Sequence, residues 1–376
     1  MHGTSLGVGI IGYGFMGRAH SNAYELIRRA FGPLYPDVEL VSIAGRSEAA
    51  LAAAASRFGF KRHETDWRRL VADPEVDLVN VCAWHDVHVE ASVSAARLGK
   101  HVVCEKPMAL TVAEARAMRD EAVRAGIVHR VAFNYRFAPA VIMARRLIAD
   151  GSIGRVNRVH IAYLIGGLAS PTVPWPWEDR TSGVLLNLGS HAIDMARYLV
   201  GEPKTVCGFV RNAVPERPRR GMPDRTEVID ADDVAIASVE FENGALGSLE
   251  ASWVCAGRNN HFSFEISGSV GAVSWDLERQ NWLRIYRPGQ RGFEDVLATE
   301  PGDPFMSGWW PPNHLLGWEH LHANLMYEFV SAVSGRPLPD ASGASFEDGY
   351  RAAVVTAAIE EASRSGRSVP VVYVGT

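Results

Sequence analysis

The stretch LGVGIIGYGFMGRAHSNAY, residues 6–24, constrains the fold more than any other part of the chain. It opens with a short run of apolar residues and glycines, which predicts a buried strand. Gly12, Gly14 and Gly17 follow with GxGxxG spacing, and the residues after them have helical periodicity. A strand, a glycine turn and a helix in this order are typical of a dinucleotide-binding βαβ unit.

Each glycine of this loop has its own physical task in such a unit. Gly12 permits the tight turn, Gly14 lets the backbone approach a pyrophosphate, and Gly17 lets the helix pack closely on the strand. The helix N-terminus, with Phe15 and Met16, then holds the phosphates. The alternative is a glycine turn that binds no ligand.

Strands and helices go on alternating after this loop. Short apolar runs end near Ala44, Trp84 and Glu105, and each is followed by a helical pattern. The last of these helices opens with a capping box formed by Thr111 and Glu114. The run VHRVAFNY predicts one more strand. This alternation favours an α/β N-terminal Rossmann domain with a doubly wound parallel sheet, for which we expect residues 1–130.

The pattern changes in the rest of the chain, residues 131–376. Successive strand-like runs separated by the turns ENGA and SGSVGA predict a substrate-binding and oligomerisation domain of α+β type with a large, mostly antiparallel sheet. The run NLGSHAIDMARYLVGEP suits a helix. Residues 213–231 are rich in proline and arginine, so we expect a loop there.

The end of the second predicted strand bears on the choice of cofactor. An acidic residue there would bind the ribose 2′-OH of NAD, whereas this chain has Gly45, Arg46 and Ser47. Gly45 makes room, Arg46 can pair with a 2′-phosphate, and Ser47 can donate a hydrogen bond to it. We therefore expect NADP to be preferred. NAD remains the alternative, with Arg46 stacked on adenine.

Composition and charge exclude several other classes of protein. The chain has 376 residues, 47% of them hydrophobic, and a formal net charge of −5 without a run of Lys or Arg, so we expect no nucleic-acid partner. The four cysteines are scattered without zinc spacing, so we predict reduced thiols and no metal site. The chain has neither a signal-like start nor an apolar run of 18 residues, so we expect a cytoplasmic protein without a membrane partner.

The stretch GKHVVCEKPMALTVAEA places Glu105 and Lys106 at the end of a predicted buried strand. Charged residues at such a position are often ordinary solvated strand ends. In doubly wound sheets, however, ligands bind at the carboxyl ends of the strands. Pro107 also restricts the backbone of the lysine before it. The position therefore favours a binding role for both residues, next to the cofactor.

Six stretches together resemble the Gfo/Idh/MocA oxidoreductases, which are Rossmann enzymes acting on sugars and cyclitols. These stretches are GVGIIGYGFMGRAHSNAY, CEKPMALTVAEA, VAFNYRFAPAV, GSIGRV, GSHAIDMARYLVGEP and SFEDGYRAAVV, and they follow in family order along nearly the whole chain. Within the family, VAFNYRFAPAV, AGRNN and WPPNHLLGW are most similar to the levoglucosan dehydrogenase-like and inositol dehydrogenase-like sugar dehydrogenases.

The resemblance implies catalytic roles for individual residues. Lys106 matches the catalytic lysine of the family's E-K-P motif. His191 and Asp194 match the family's D-x-x-x-H-x-x-D pattern, in which the histidine exchanges a proton with the substrate hydroxyl. The first acid of that pattern is Asn187 here, which can position a substrate but cannot accept a proton.

The resemblance also implies binding residues. The Thr-Pro-Asn that the family has after the fourth strand is replaced by Ala83, Trp84 and His85, which puts the usual backbone contacts to the cofactor in doubt, while His88 keeps its family position. For substrate binding, the resemblance indicates Tyr135, Arg136, Trp177, Asn187 and His191. The tryptophans of VPWPWEDR suit either a sugar site or loop packing, and the residues do not separate the two.

The sequence thus predicts an NAD(P)-dependent enzyme that interconverts a secondary hydroxyl and a ketone on a sugar, anhydrosugar or cyclitol. One alternative is a lyase or glycosidase that holds NAD tightly and oxidises its sugar transiently. Another is a non-enzymatic sensor that binds NAD(P). As partners we expect a small-molecule substrate and further copies of the chain, in a homodimer or homotetramer formed through the C-terminal sheet.

Overall fold

The computed structural model describes residues 5–32, 37–176, 182–339 and 342–374. In chain order the strands and helices are β1 (Ser5–Ile11), α1 (Phe15–Ala30), β2 (Asp37–Ala44), α2 (Glu48–Phe58), β3 (Arg62–Glu64), α3 (Trp67–Ala72), β4 (Leu78–Val81), α4 (His85–Arg97), β5 (His101–Cys104), α5 (Val112–Ala125), β6 (His129–Val131), α6 (Pro139–Ala149), β7 (Val156–Leu164), α7 (Ser190–Leu199), β8 (Pro203–Arg211), β9 (Glu216–Arg219), β10 (Met222–Val228), β11 (Val234–Phe241), β12 (Leu246–Ser252), β13 (His261–Gly268), β14 (Ala272–Asp276), β15 (Trp282–Tyr286), β16 (Glu294–Leu297), α8 (Trp318–Val333), α9 (Phe346–Ser365) and β17 (Val369–Pro370).

The chain divides into two compact units. The first unit comprises Met1–Ile142 with Thr299–Tyr350, and the second comprises Met143–Ala298 with Arg351–Thr376. Residues 299–350 group with the N-terminal part because buried side chains of α8, such as Phe329, belong to the same core as β1 and α1. The expected domain ranges of 1–130 and 131–376 stay a prediction.

The first unit is built on a parallel sheet, as expected. Among the described residues, six strands pair in the order β3-β2-β1-β4-β5-β6, and all neighbours are parallel. The last residues of the four central strands lie in one row, since Ile11 pairs with Ala44 and Val81, and Val81 pairs with Cys104. The carboxyl ends of these strands therefore open on one edge of the sheet.

Apolar side chains explain why this sheet is covered on both faces. Val8 and Ile10 of β1 are fully buried, as are Leu78 of β4 and Val103 of β5. Near-continuous apolar strands of this kind suit a parallel sheet with helices on both sides. On α1, the buried face comprises Gly17, His20, Ser21, Ala23, Tyr24 and Ile27.

Two details of this unit differ from the sequence prediction. The short elements β3 and α3 were not predicted, and the predicted strand VHRVAFNY pairs only over His129–Val131. The strand stops early because β5, its neighbour, ends at Cys104, and the last rung runs from the Ala132 N–H to the Cys104 carbonyl at 2.9 Å. Residues Asn134–Phe137 then form a turn of 3-10 helix.

The second unit contains a large mixed sheet, which confirms the predicted fold class. Within the described ranges its strand order is β16-β15-β14-β13-β7-β12-β11-β8-β17. All neighbours are antiparallel except β7 and β12. The turn ENGA joins β11 to β12, and Gly244 there has a φ of +84°, a backbone conformation that favours glycine.

The prediction of a loop over residues 213–231 was wrong. Strands β9 and β10 pair there as an antiparallel hairpin, with Gly221 in the turn at a φ of +75°. The hairpin is anchored by Arg217, which is buried, lies 3.6 Å from Asp233, and donates to the carbonyl of Leu168 at 2.9 Å. The sequence analysis missed these two strands because the segment is rich in proline and arginine. Most side chains of the strands are also exposed, so they show little apolar patterning.

The helices of the described chain include none that combines the length and the apolar character required to cross a membrane. The predicted capping box at the start of α5 is confirmed. The Thr111 side chain accepts from the Glu114 N–H at 3.2 Å, and the Glu114 carboxylate accepts from the Thr111 N–H at 3.0 Å.

A half-buried histidine ties β6 to the start of α9 within the first unit. His129 Nδ1 accepts a hydrogen bond from the Phe346 N–H at 2.9 Å, and the two rings lie 4.8 Å apart. Burial, helped by the neighbouring charge of Arg130, lowers the pKa of His129 to about 4, and Asp348 offsets only part of this effect. Protonation of Nδ1 would remove the acceptor that the helix start uses.

We expect His129 to make the first unit sensitive to acid. In the unfolded chain the histidine takes up a proton near pH 6.5, whereas in the folded chain it does so only near pH 4, so stability is lost as the pH falls between these values. The loss from this residue should reach at most about 3 kcal/mol at pH 4.

Urea unfolding of the unmodified protein and His129→Asn between pH 4 and 7 measures this contribution. The asparagine can still accept from the Phe346 N–H but does not titrate, so the free energy of unfolding should depend less on pH in the variant. Equal slopes for the two proteins would contradict the assignment.

Candidate active site

The glycine loop after β1 is held by close backbone approaches. Gly12 has a φ of +104°, and a Cβ there would lie 2.6 Å from the Cys82 carbonyl oxygen. A Cβ on Gly17 would lie 2.0 Å from the Gly12 carbonyl oxygen. Both positions therefore require glycine for the fold of the loop itself, before any ligand is considered.

Gly14 is different, because a Cβ there would meet nothing within 4 Å among the described residues. It is the N-cap of α1 and, as a glycine, it has no side chain with which to cap the helix start. The next two residues are Phe15, which is 61% exposed, and Met16, which is half-buried. Open space over a glycine, beside uncapped helix N–H groups, fits the pyrophosphate of a dinucleotide.

The end of β2 has a second glycine with a steric role. A Cβ on Gly45 would lie 2.3 Å from the Tyr13 ring, so this glycine makes room for the tyrosine. The two residues that follow, Arg46 and Ser47, are both exposed. Nearby, the exposed pair of His63 and Glu48 is joined by a 2.8 Å contact.

The loop after β4 carries the residues that replace the family's Thr-Pro-Asn. Ala83 and His85 are half-buried, and Trp84 is 46% exposed. His88 is buried on α4, with Nδ1 3.0 Å from the Pro107 carbonyl and Nε2 3.1 Å from the Ala83 carbonyl. His88 therefore links this loop to the segment after Lys106.

Glu105 and Lys106 follow β5 directly, where the sequence predicted them. Glu105 is 4% exposed, Lys106 is half-buried, and the Lys106–Pro107 peptide bond is cis. Burial lowers the pKa of Lys106 below its usual range, and the negative charge of Glu105 opposes this effect. A lysine of lowered pKa beside a carboxylate, at the ligand-binding edge of a parallel sheet, has the properties of an acid–base or electrostatic catalyst.

A buried polar group that the sequence analysis did not single out lies behind Glu105. His20 Nε2 is 3.0 Å from the Glu105 carboxylate, and His20 Nδ1 is 3.2 Å from both Asn80 Oδ1 and Cys82 Sγ. Tyr24 adds a 3.0 Å contact between its hydroxyl and the Asn80 amide. One signal was available: His20 stands on the otherwise apolar or small-residue face of α1, between Gly17 and Tyr24.

The predicted substrate residues Tyr135 and Arg136 are buried in the 3-10 turn rather than at a strand end. Arg136 donates to the Asp348 carboxylate at 3.2 Å. Asp348 in turn accepts from the Ser345 N–H at 2.8 Å. The position of Arg136 is thus fixed through the start of α9.

The other predicted catalytic residues lie in the second unit. Leu185–Gly189 form a turn of π-helix that runs directly into α7, and π-turns are frequent at functional sites. Asn187 is half-buried in this turn, and its carbonyl accepts from the Ser190 hydroxyl at 3.0 Å. The Leu185 N–H donates to the Asp232 carboxylate at 2.9 Å, which anchors the start of the turn.

His191 lies in the first turn of α7, four residues after Asn187. It is buried, with its ring centre 5.7 Å from that of Tyr163 and 6.1 Å from that of Phe262. Trp177, a predicted substrate residue, lies outside the described residues. Its neighbour Trp175 is buried edge-on against Trp253, with 5.4 Å between ring centres, which indicates a packing role.

Comparison with known proteins shows the family to which this chain belongs. Residues 6–133 match the oxidoreductase family with an NAD-binding Rossmann fold, and residues 141–274 match the GFO/IDH/MocA C-terminal domain. The chain is therefore an oxidoreductase with an NAD-binding Rossmann domain. It belongs to the Gfo/Idh/MocA family.

Individual relatives are similar over almost their whole length. Levoglucosan dehydrogenase of Pseudarthrobacter phenanthrenivorans is 37% identical over 382 residues, covering 96% of both chains. Myo-inositol 2-dehydrogenase of Thermotoga maritima is 26% identical over 96% of this chain and 97% of the relative. A solved structure of levoglucosan dehydrogenase in complex with NADH and L-sorbose superposes with a TM-score of 0.92 at 37% identity, covering 98% of this chain and 99% of that chain.

We expect Gly14→Ala to separate cofactor binding from folding. The added methyl group meets no described atom and suits the φ of −71° at this position, so unfolding free energy should change by less than about 1 kcal/mol. The same methyl group would occupy space that a pyrophosphate needs. Binding of NADH and NADPH, measured by fluorescence titration, should weaken by roughly tenfold or more, equivalent to about 1.4 kcal/mol.

Gly17→Ala is the matched control, because its methyl group would clash with the Gly12 carbonyl and should destabilise the protein itself. Unchanged cofactor affinity in a folded Gly14→Ala variant would show that the loop does not approach a dinucleotide.

Proposed function

We propose that this enzyme interconverts a secondary hydroxyl group and a ketone on a sugar, anhydrosugar or cyclitol. The observation that carries the proposal is Lys106, half-buried beside Glu105 at the carboxyl edge of the parallel sheet, in a chain of this family. The curated relatives support the substrate class, since they are named for levoglucosan and myo-inositol. Bound NAD(P) would accept or supply the hydride.

Lys106 is proposed to act on the oxygen at the reacting carbon. An ammonium group can hydrogen-bond that oxygen and stabilise negative charge as it develops. Burial makes such an interaction stronger than in water, because the surroundings screen charge less well. Glu105 opposes the loss of the ammonium proton that burial favours.

His191 is proposed to exchange the proton of the substrate hydroxyl, as the family resemblance implies. Its buried position at the start of α7 supports this role, because a fixed imidazole suits general acid–base catalysis. Asn187, one turn earlier, is proposed to position the substrate, since its amide can donate and accept hydrogen bonds but cannot take up a proton.

NADP is proposed as the preferred cofactor, with NAD as the alternative. Arg46 and Ser47 are exposed directly after β2, and neither carries the negative charge that would repel a 2′-phosphate. The alternative is supported by levoglucosan dehydrogenase, a relative whose solved structure contains NADH. The two cofactors can therefore be compared in one titration.

A spectrophotometric screen of sugars, anhydrosugars and inositols with NAD and NADP tests the proposal. Net formation of reduced cofactor with one of these substrates is the expected result. Conversion of the sugar without net reduction would indicate a lyase or glycosidase that uses its cofactor transiently. Cofactor and sugar binding without any conversion would indicate a sensor.

We expect Lys106→Ala to lower kcat by about a hundredfold or more, the scale of removing one electrostatic donor from a transition state. Affinity for the cofactor should stay nearly the same, since the substitution leaves the backbone at the carboxyl edge of the parallel sheet unchanged. Lys204→Ala, at an exposed lysine of the second unit, is the matched control and should keep its turnover. A Lys106→Ala enzyme with most of its activity would make the lysine an ordinary strand-end charge.

We expect Arg46→Ala to weaken NADP binding by about 1–3 kcal/mol, because a charge-assisted hydrogen bond to the 2′-phosphate is lost. NAD binding should change little. Arg57→Ala, at another exposed arginine of the first unit, controls for the general loss of positive charge. If the unmodified enzyme binds NAD as tightly as NADP, the proposed preference is wrong.

A further inference from the structure

Glu105 is a buried carboxylate that needs a partner. Glu105 as a whole residue is 4% exposed, and one oxygen of its carboxylate accepts from the Lys106 backbone N–H at 3.1 Å. Its other oxygen is 3.0 Å from His20 Nε2, and His20 is completely buried. An ionised carboxylate accepts hydrogen bonds only, so the hydrogen of this contact is on His20 Nε2.

The other side of the His20 ring fixes the ring in place. In this tautomer Nδ1 is an acceptor, and it lies 3.2 Å from Cys82 Sγ, whose thiol can donate to it; the Asn80 side chain packs at the same distance without donating to the ring. Asn80 lies in β4 and Cys82 follows this strand directly, whereas Glu105 follows β5 and His20 lies on α1. His20 therefore connects the first helix to the ends of two neighbouring strands.

The titratable groups that face this contact are otherwise uncharged near neutral pH. Burial raises the pKa of the thiols of Cys82 and Cys104, and burial lowers the pKa of His88 and of His322, the latter to about 3. Tyr24 is also neutral, because burial raises its pKa. The partners of the Glu105 carboxylate described above are therefore the His20 ring and Lys106.

The balance at Glu105 depends on His20. Burial by itself raises the pKa of Glu105, but the hydrogen bond from His20 and the nearby positive charge of Lys106 together outweigh burial, so that the net pKa lies below its usual range. Without the His20 donor, the carboxylate would lose the largest of the contributions that keep it ionised. Lys106 would then lose the negative charge beside it.

We propose that His20 is a positioning residue for the reaction: its Nε2–H holds Glu105 ionised and in place, and Glu105 in turn keeps the Lys106 side chain protonated. The proposal rests on the proposed function of Lys106. In this proposal His20 acts on the reaction through Glu105, and this order of action is what distinguishes the proposal from a packing role.

The Lys106 charge can be measured directly, because the chain contains four lysines, Lys61, Lys100, Lys106 and Lys204. Full-length protein made with ε-¹³C-lysine should give four side-chain NMR signals, and the Lys106 signal is the one that disappears in Lys106→Arg. The pH midpoint of this signal reports protonation without any substrate.

In Glu105→Gln the Lys106 midpoint should fall by about one pH unit or more, the effect of losing an opposite charge nearby. Two apolar replacements, His20→Leu and His20→Met, are made in parallel so that a folded one is measured, and each should move the midpoint in the same direction. In His20→Gln, whose amide can place a donor where Nε2 was, the Lys106 midpoint should return most of the way to its value in the unmodified protein. The alkaline limb of the kcat/KM profile should move with it.

The combination of Glu105→Gln with His20→Leu tests the order of action. If His20 acts through Glu105, the Lys106 midpoint in the double variant should equal that of Glu105→Gln alone. Tyr24→Phe removes a hydroxyl from the same buried cluster without touching Glu105, so the Lys106 midpoint should stay unchanged in this variant. The midpoints of the other three lysines should stay unchanged in every variant.

An unchanged Lys106 midpoint in a folded apolar variant at position 20 would overturn the proposal. So would a His20 effect that is as large in the Glu105→Gln background as in the unmodified protein. An unmodified enzyme that converts no sugar would contradict the proposed function instead, because the NMR titration needs no turnover.

Discussion

The common end row of the central parallel strands decides where the candidate functional residues of the first unit lie. Ile11, Ala44, Val81 and Cys104 stand side by side in this row. The backbone pairing continues one residue further: the Gly12 N–H donates to the Ala44 carbonyl at 2.8 Å, and the Glu105 N–H donates to the Val81 carbonyl at 2.9 Å. A slip of one residue in any of these strands would turn the side chains of that strand to the opposite face.

The same row explains why the glycine loop and the buried polar cluster depend on each other. Gly17 allows α1 to approach the Gly12 carbonyl closely, and His20 stands one helical turn further on. Only a helix held this close can bring His20 within hydrogen-bond distance of Glu105. A buried carboxylate without such a partner would cost several kcal/mol or take up a proton. The packing of the loop therefore bears on the charge next to Lys106.

The features that were predictable from sequence are those set by local pattern. Apolar runs located β1, β2, β4 and β5, and the Thr111 capping box is specified by two residues three positions apart. The features that were missed depend on distant partners. Strand β6 ends where its neighbour β5 ends. The β9–β10 hairpin is anchored by Arg217, which donates to the carbonyl of Leu168, far away in sequence. No window of neighbouring residues contains that information.

The residues of the candidate site also divide into those that local sequence predicts and those that depend on distant partners. Its glycines and the position of Lys106 follow from spacing and strand ends, whereas the contact of His20 with Glu105 spans 85 residues. A histidine on the buried face of an amphipathic helix was the only local sign of it. The π-turn before His191 was equally hidden, since its sequence reads as ordinary helix and its start is held by Asp232, far along the chain.

The end of β2 shows how a steric constraint can limit a choice of cofactor. Any side chain at position 45 would overlap the Tyr13 ring, so that position cannot carry the acid that would bind a ribose hydroxyl while Tyr13 packs there. In the proposed function, discrimination between a hydroxyl and a phosphate would then come from side chains just beyond the strand, where Arg46 and Ser47 are exposed. Because the Tyr13 packing excludes an acid at 45 for either cofactor, the preference proposed for NADP depends on the charge at position 46.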